Sequence, residues 1–294
     1  MPELPEVETV RRGLQELLPG REVREVRVYD SPKSFPNDPV QVRQFLYGAR
    51  IQAVRRRAKV LMIDLENNYS LVIHLKMTGQ LIFRAQSAQF GGGHPNDSLV
   101  GQLPDRSTRV EIMFQDGSQL FFNDQRKFGW VKLLPTPEIA HLSFMRRVGP
   151  EPLDSQTTAD QFIARARRHQ KAMIKPTLLD QSVLAGVGNI YADEALWAAK
   201  IHPQTRVQAL TDQQLAELLR EVCRVLQLSL QHGGSTDKNY VDAEGRKGNY
   251  LAFAQVFRRQ DQPCYRHPDQ LIVKQKIAGR GTHICPVCQV VRDR

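Results

Sequence analysis

No apolar run in the chain is long enough to cross a bilayer. The first residues are acidic and amphipathic, which does not suit a signal or transit peptide. Cysteine is scarce. There are four in 294 residues, and Cys264, Cys285 and Cys288 cluster near the end while Cys223 stands apart, so no secreted disulfide framework is indicated. Internal repeats are missing, which excludes a solenoid or propeller. Gly186-Val187-Gly188 has no third glycine and no clear strand before it, so it is not a dinucleotide fingerprint. Acidic residues are in deficit, 31 Asp+Glu against 41 Lys+Arg. The net charge of +10 favours a polyanionic partner, although a basic surface can also serve solubility alone. The length suits two domains, and the expected setting is the cytoplasm.

The opening Met1-Pro2-Glu3-Leu4-Pro5-Glu6-Val7-Glu8-Thr9-Val10 is the most informative stretch. Pro2 is small, so removal of Met1 is expected to leave a secondary amine at the N-terminus. Leu4, Val7, Val10, Leu14 and Leu17 recur at helical spacing, so a helix starts almost at that amine, with proline favoured at a first helical position. Glu3 and Glu6 are three apart and share a face. An α-amine titrates near ~8 against ~10.4 for lysine, so roughly a tenth of it is neutral near pH 7. A helix N-terminus disfavours the cation further. A secondary amine that attacks a sugar C1′ gives a cationic iminium, an electron sink that needs no buried lysine. On these residues alone a plainer reading stands ahead: a helix start whose acids complement its dipole.

Beyond the first helix the N-terminal half reads as strands. Val60–Leu65 and Leu71–Leu75 are short apolar runs, and Asp116-Gly117 between Val110–Phe114 and Leu120–Phe122 is a hairpin signal. Residues 85–105, rich in Gly, Ser, Asn and Gln, read as a mobile loop. An antiparallel β domain of sandwich type follows. Pro135, Pro137, Gly149, Pro150 and Pro152 mark a hinge. Helical signals dominate after it. Thr211–Gln214 is a capping box ahead of Leu215, Leu218, Leu219, Val222 and Leu226, and Gly233-Gly234 stops that helix. Cys223 lies on its apolar stripe and reads as core. Asp242–Gly248 is polar and reads as a flexible loop.

Cys264-Tyr265-Arg266-His267 and Cys285-Pro286-Val287-Cys288 are two knuckles, each with ligands at its ends, separated by seventeen residues, enough for a β-hairpin. Four such ligands suit a closed, structural zinc site, worth roughly 10–16 kcal/mol of apparent binding free energy. His283 is a competing ligand, and the symmetry of the knuckles favours His267. Arg280, between Gly279 and Gly281, can approach a phosphate closely at a hairpin tip, or it can be a solvated arginine in a tight turn.

The string Met1–Val10 resembles the N-terminus of the formamidopyrimidine-DNA glycosylase family, bacterial base-excision repair enzymes, and the likeness runs from Pro2 to Gln289 in separated segments. The resemblance implies an α+β fold: an N-terminal antiparallel β-sandwich with a leading helix, then a helical helix–two-turn–helix domain with a β-hairpin zinc finger. It places a catalytic domain at 1–136, a hinge at 137–150, the helix–two-turn–helix domain at 151–240, a lesion-covering loop and connection at 241–263 and the zinc finger at 264–294.

The same resemblance assigns roles. Pro2 is the nucleophile, Glu3 the general acid/base, and Glu6 a positioning group. Lys59, after the charge run Arg55-Arg56-Arg57, serves proton transfer or phosphate contact, and Arg280 grips phosphate and takes part in elimination. Met77 fills the gap left by a flipped nucleotide, Arg126 hydrogen-bonds the orphaned cytosine, and Phe128 wedges beside it. Arg126 and Phe128, two apart, would point the same way along a strand. Asn189 contacts DNA backbone, and Lys171 matches another DNA-contacting lysine. Two departures stand out. His267 replaces a family cysteine, with the segment between the knuckles one residue longer. Ser107 stands where the family carries a DNA-contacting histidine, and its hydroxyl is expected to donate more weakly to phosphate.

The function implied is a bifunctional glycosylase/lyase for oxidised purines, 8-oxoguanine and formamidopyrimidines, acting on damaged double-stranded DNA as a monomer with one structural Zn2+, in a bacterial, nucleoid-associated setting. The alternatives are an endonuclease VIII-type enzyme for oxidised pyrimidines, a non-catalytic damage binder, and a general zinc-ribbon nucleic-acid binder. Leu4, where endonuclease VIII enzymes usually carry glycine, argues against the first of these.

Overall fold

The computed structural model describes residues 1–94, 96–235 and 249–291. The chain forms two units, Met1–Arg146 with His232–Asn249 and Arg147–Gln231 with Tyr250–Arg294. The sequence reading kept 232–240 with the helical domain. Residues 232–235 group by contact with unit 1, where the Ser235 N–H donates to Glu6.

Unit 1 begins with α1 (Leu4–Leu17), whose N-cap is Glu3. Pro5 sits in the first turn, and Pro2 stands ahead of the cap instead of at the first helical position. The cause is a reciprocal capping box: the Glu6 carboxylate accepts from the Glu3 N–H at 2.8 Å, so Glu3 must be extended, with φ −101° and ψ −171°. The strands follow: β1 (Val23–Val28), β2 (Ile51–Arg57), β3 (Val60–Leu65), β4 (Tyr69–His74), β5 (Gly79–Arg84), β6 (Gln89–Gly93), β7 (Thr108–Phe114), β8 (Gln119–Asp124) and β9 (Trp130–Pro135). A short helix α2 (Pro39–Phe45) lies between β1 and β2, and α3 (Ser143–Arg147) follows β9. The strands pair antiparallel in two sheets, β1-β7-β8-β5-β6 and β2-β3-β4-β9.

One core joins the sheets. Leu61, Ile63, Leu71 and Ile73 from the four-stranded sheet meet Leu81, Phe83, Phe114 and Phe122 from the five-stranded one, and α1 adds Val7, Val10 and Leu14. Every residue of β3 is buried because its other face is covered too, where Val60, Met62 and Val72 pack with Ile139. That is why its run is continuously apolar and does not alternate. At the β7–β8 hairpin, Gly117 takes φ 83° and Asp116 accepts from Ser118 N–H at 3.0 Å. The segment 85–105, expected to be a loop, contains β6, which pairs with β5 and buries Phe90. Its three consecutive glycines have low strand propensity and hid the strand.

Unit 2 contains α4 (Ala159–Ala166), α5 (Ile174–Leu179), α6 (Asn189–Ala198), α7 (Asp212–Gln231) and the hairpin β10 (Val273–Ile277)–β11 (Arg280–Ile284). The capping box of α7 is present: Thr211 N–H donates to Gln214 at 2.9 Å, and Gln214 N–H donates to the Thr211 hydroxyl at 3.2 Å. Cys223 is half-buried, and its thiol meets the Pro152 carbonyl at 2.9 Å. No helix among the described residues is long and apolar enough to cross a membrane.

Candidate functional site

In unit 1 the first turn of α1 gathers the acids around the chain start. Pro2 is buried, and Glu3 and Glu6 are 3% and 6% exposed. The second oxygen of Glu6 accepts from Ser235 N–H at 2.8 Å, and Gly234, with φ 90°, leaves that carboxylate room that a side chain would restrict. Glu6 therefore braces backbone on both sides. Burial lowers the pKa of the Met1 α-amine; Glu3 and Glu6 oppose the shift, while Lys59 and Arg126 reinforce it. Burial thus biases the Met1 α-amine towards its neutral form.

Lys59 is buried at the two-residue tip of the β2–β3 hairpin, and its neighbour Ala58 takes the left-handed φ of 52°. A residue with a Cβ holds that conformation only where its surroundings enforce it. His74 lies across from Val60 in the β3–β4 pairing. Burial, then the nearby Lys76 and Lys59, push its pKa down to about 3. Its Nδ1 accepts from the Lys76 N–H at 3.0 Å, so the neutral ring carries its proton on Nε2. Nothing in the sequence pattern singled out this histidine.

Two loops of unit 1 carry the exposed Met77 and Phe128. Met77 is 38% exposed and Phe128 is 54% exposed. Lys76, before Met77, has φ 50°, and Lys127, between Arg126 and Phe128, has φ 56°. Arg126 and Phe128 were expected to share a strand face. They instead occupy the turn between β8 and β9, and they meet because that turn folds the guanidinium over the ring at 4.8 Å. Ser107 is 3% exposed, and its hydroxyl donates to Asp105 at 2.7 Å, so it faces inward and not towards a phosphate. The exposed cation of that stretch is Arg106.

In unit 2, Asn189 opens α6, and its Nδ2 donates to the Gly281 carbonyl at 3.0 Å. Arg280 is exposed directly after the two-residue turn Ala278-Gly279, where both residues have positive φ (47° and 78°), the geometry of a type I′ hairpin. Beneath it lies a buried network that the sequence did not disclose. Lys175, 1% exposed, donates to Asp193 at 2.6 Å and to the Thr282 hydroxyl at 2.7 Å, and Asp193 also accepts from the His283 N–H at 2.9 Å. Lys171 is exposed ahead of α5.

Cys264, His267, Cys285 and Cys288 bring their ligand atoms within 4.8 Å of one another, so this cluster could bind a metal ion. Cys264 Sγ lies 3.7 Å from Cys288 Sγ, and His267 Nδ1 lies 3.1 Å from the same sulfur. The edge of a tetrahedron with ~2.3 Å Zn–S bonds is about 3.7 Å, so the donor set and spacing fit that ion. His283 is not part of the cluster. Its Nδ1 lies 3.3 Å from Asp193, and its ring packs edge-on to Phe257. The segment Asp242–Gly248, expected to close over an everted base, lies outside the described residues.

Residues 1–131 match the formamidopyrimidine-DNA glycosylase N-terminal domain, and residues 148–240 match the formamidopyrimidine-DNA glycosylase H2TH domain. The chain belongs to the formamidopyrimidine-DNA glycosylase family. A relative from Herpetosiphon aurantiacus with that glycosylase name is 44% identical, over 98% of this chain and 100% of the relative. One from Pelotomaculum thermopropionicum is 40% identical, over 99% and 100%. Among solved structures, a Lactococcus lactis Fpg mutant bound to DNA containing Fapy-dG has a TM-score of 0.85 at 33% identity, over 98% of this chain and 100% of that one. The Lactococcus lactis Fpg complex with abasic-site DNA has the same score and identity, over 98% and 99%. The α+β architecture with its helical second domain is that of this glycosylase family. The metal cluster lies beyond both matched domains but inside the span shared with the full-length relatives.

Proposed function

We propose that this chain, a DNA-repair glycosylase by family, excises oxidised purines from duplex DNA and then cleaves the abasic strand. Once Met1 is removed, the Pro2 nitrogen attacks C1′ of the damaged nucleotide. The N–C1′ bond forms, the glycosidic bond breaks and the base leaves with its electron pair. Glu3 supplies the proton that lets the sugar ring open. The resulting iminium acidifies the C2′ hydrogen. Loss of that proton expels the 3′-phosphate, and a second elimination expels the 5′-phosphate. Lys59 and Arg280 are assigned to the proton and phosphate handling of these steps, and Glu6 to holding the first turn of α1. Met77, Arg126 and Phe128 occupy the space the flipped nucleotide leaves, while Lys171 and Asn189 hold the backbone. Cys264, His267, Cys285 and Cys288 would hold one Zn2+ as a structural ion, since four protein ligands would leave no open position for chemistry. The partner is damaged double-stranded DNA, bound by a monomer.

The observation that carries this reading is the α1 start, where a reciprocally capped pair of buried glutamates flanks the buried Pro2. A second substrate class, oxidised pyrimidines, is kept because a Lactococcus lactis Fpg complex at TM-score 0.84 holds DNA with such a lesion. Borohydride trapping on a duplex carrying 8-oxoguanine opposite cytosine, with peptide mass mapping, tests both. A covalent adduct on Pro2 is expected. An adduct formed only with an oxidised-pyrimidine duplex moves the substrate, and tight binding without any adduct removes the chemistry.

A further inference from the structure

Asp124 is the last residue of β8, faces Gly79 in the β5–β8 register and is 0% exposed. One of its oxygens accepts from the Thr78 hydroxyl and from the Arg126 N–H at 3.2 Å; the other accepts from the Gly129 N–H at 2.6 Å. The Thr78 hydroxyl accepts in turn from the Arg126 N–H at 3.0 Å. A single carboxylate therefore joins the residue after Met77 to both ends of the turn that carries Arg126 and Phe128. The join tolerates no intruding atom: a Cβ on Gly129 would stand 3.1 Å from the Asp124 oxygen and 2.7 Å from the Phe122 ring.

The middle of the turn is anchored on its other side. Lys127 Nζ donates to Asp30 at 3.0 Å, and Asp30 also pairs with the buried Arg109 at 2.7 Å, whose Nε holds the Asp124 carbonyl at 2.8 Å. The turn is thus fixed through Asp124 and Lys127, which leaves the Arg126 guanidinium and the Phe128 ring outward and stacked on each other. Burying a carboxylate is costly unless its oxygens are satisfied by donors. Here the donors come from the two loops that carry the exposed Met77 and Phe128.

We propose that Asp124, acting through Thr78, is a positioning residue that locks Met77, Arg126 and Phe128 into one rigid reader and so sets which base is accepted opposite the lesion. The inference rests on the glycosylase reading above and extends it to the base that Arg126 meets. Asp124→Asn keeps one accepting oxygen but turns an amide N–H against the Gly129 N–H. Thr78→Val removes the bridging hydroxyl, and Thr78→Ser keeps it.

The experiment compares single-turnover excision of 8-oxoguanine opposite cytosine and opposite adenine. It also measures borohydride trapping on a single-stranded abasic oligonucleotide, which has no opposite base to read. The cytosine-to-adenine rate ratio should fall about tenfold in Asp124→Asn and Thr78→Val, the equivalent of one lost hydrogen bond to a charged acceptor. Thr78→Ser should restore it, and single-strand trapping should match wild type throughout. An unchanged ratio in variants that still trap overturns the proposal, as does a parallel loss of every activity, which would mark Asp124 as fold support alone. A wild-type enzyme that excises opposite both bases at one rate also overturns it and leaves the glycosylase reading standing. A wild-type protein that traps nothing removes that reading instead.

Discussion

The side-chain amide of Asn189 donates to the main-chain carbonyl of Gly281 at 3.0 Å, so the first residue of α6 is tied to the residue that follows Arg280. An amide nitrogen carries two hydrogens. One is spent on Gly281; in the proposed function the other meets a phosphate at the helix start, where the dipole also favours an anion. Asn189 thus holds the hairpin tip, and in the proposed function the same amide meets the DNA backbone.

Asn189→Asp should break both functions at once, because a carboxylate repels the Gly281 carbonyl and the phosphate alike. DNA affinity should fall about tenfold or more, uniformly across sequences, with a salt slope reduced by about one phosphate contact. The share of δ-elimination product should fall with it, since Arg280 loses its brace. Binding titrations at several salt concentrations and gel analysis of the cleaved ends check this. A variant with normal affinity and normal product ratio would leave the Asn189–Gly281 bond without functional meaning.

In the proposed function a metal at Cys264, His267, Cys285 and Cys288 adds to the buried Thr282 and His283 contacts that hold β11. Among the described residues β10 and β11 pair with each other alone, and β10 is largely exposed. The nearby core is small: Trp197, Val256 and Ile272 pack around Cys264, Cys285 and Cys288. A lone two-stranded hairpin is marginal in water, whereas a structural zinc ion contributes roughly 10–16 kcal/mol of apparent binding free energy at neutral pH. Chelation should therefore expose residues 273–284 to protease and abolish tight DNA binding. His267→Ala should lose the metal, His267→Cys should keep it, and His283→Ala should leave metal content unchanged. Metal analysis by atomic absorption with limited proteolysis reads all four. Metal retained in His267→Ala but lost in His283→Ala would reassign the fourth ligand.

Features written in local patterns were legible in the sequence. The apolar runs of β3 and β4, Asp116-Gly117 at its hairpin, the Thr211/Gln214 capping box and the spaced knuckles all rest on neighbours within a few residues. What escaped depends on partners far away in the chain. Lys175 and Asp193 look like surface charges until the hairpin residue Thr282 is placed over them. Asp124 reads as a turn residue until Thr78 arrives from another strand. Ser107 reads as a weak phosphate donor until Asp105 claims its hydroxyl. Arg126 and Phe128 fit strand periodicity, yet the left-handed Lys127 between them places them in a turn. The sites of Met77 and Phe128 came from family likeness, because exposure of an apolar side chain leaves no mark in a single sequence.

His74 gives a stability prediction with a definite sign. In the unfolded chain it takes a proton near pH ~6.5. In the fold, burial, Lys76 and Lys59 hold its pKa at about 3. Between these values the unfolded state binds the extra proton, so acidification favours unfolding and stability rises with pH across this window. One proton gives a slope of at most about 1.4 kcal/mol per pH unit. Burial also lowers the pKa of His202, which adds a slope of the same sign, whereas burial raises that of Glu194, which opposes it on the acid side. The contribution of His74 is therefore read as a difference. His74→Asn can still accept from the Lys76 N–H but does not titrate. Urea unfolding of both proteins from pH 7.5 to 4.5 should show wild type losing stability relative to the variant only below about pH 6.5. Parallel curves across that range would mean that the imidazole is protonated in the fold, in spite of the two ammonium groups that face it.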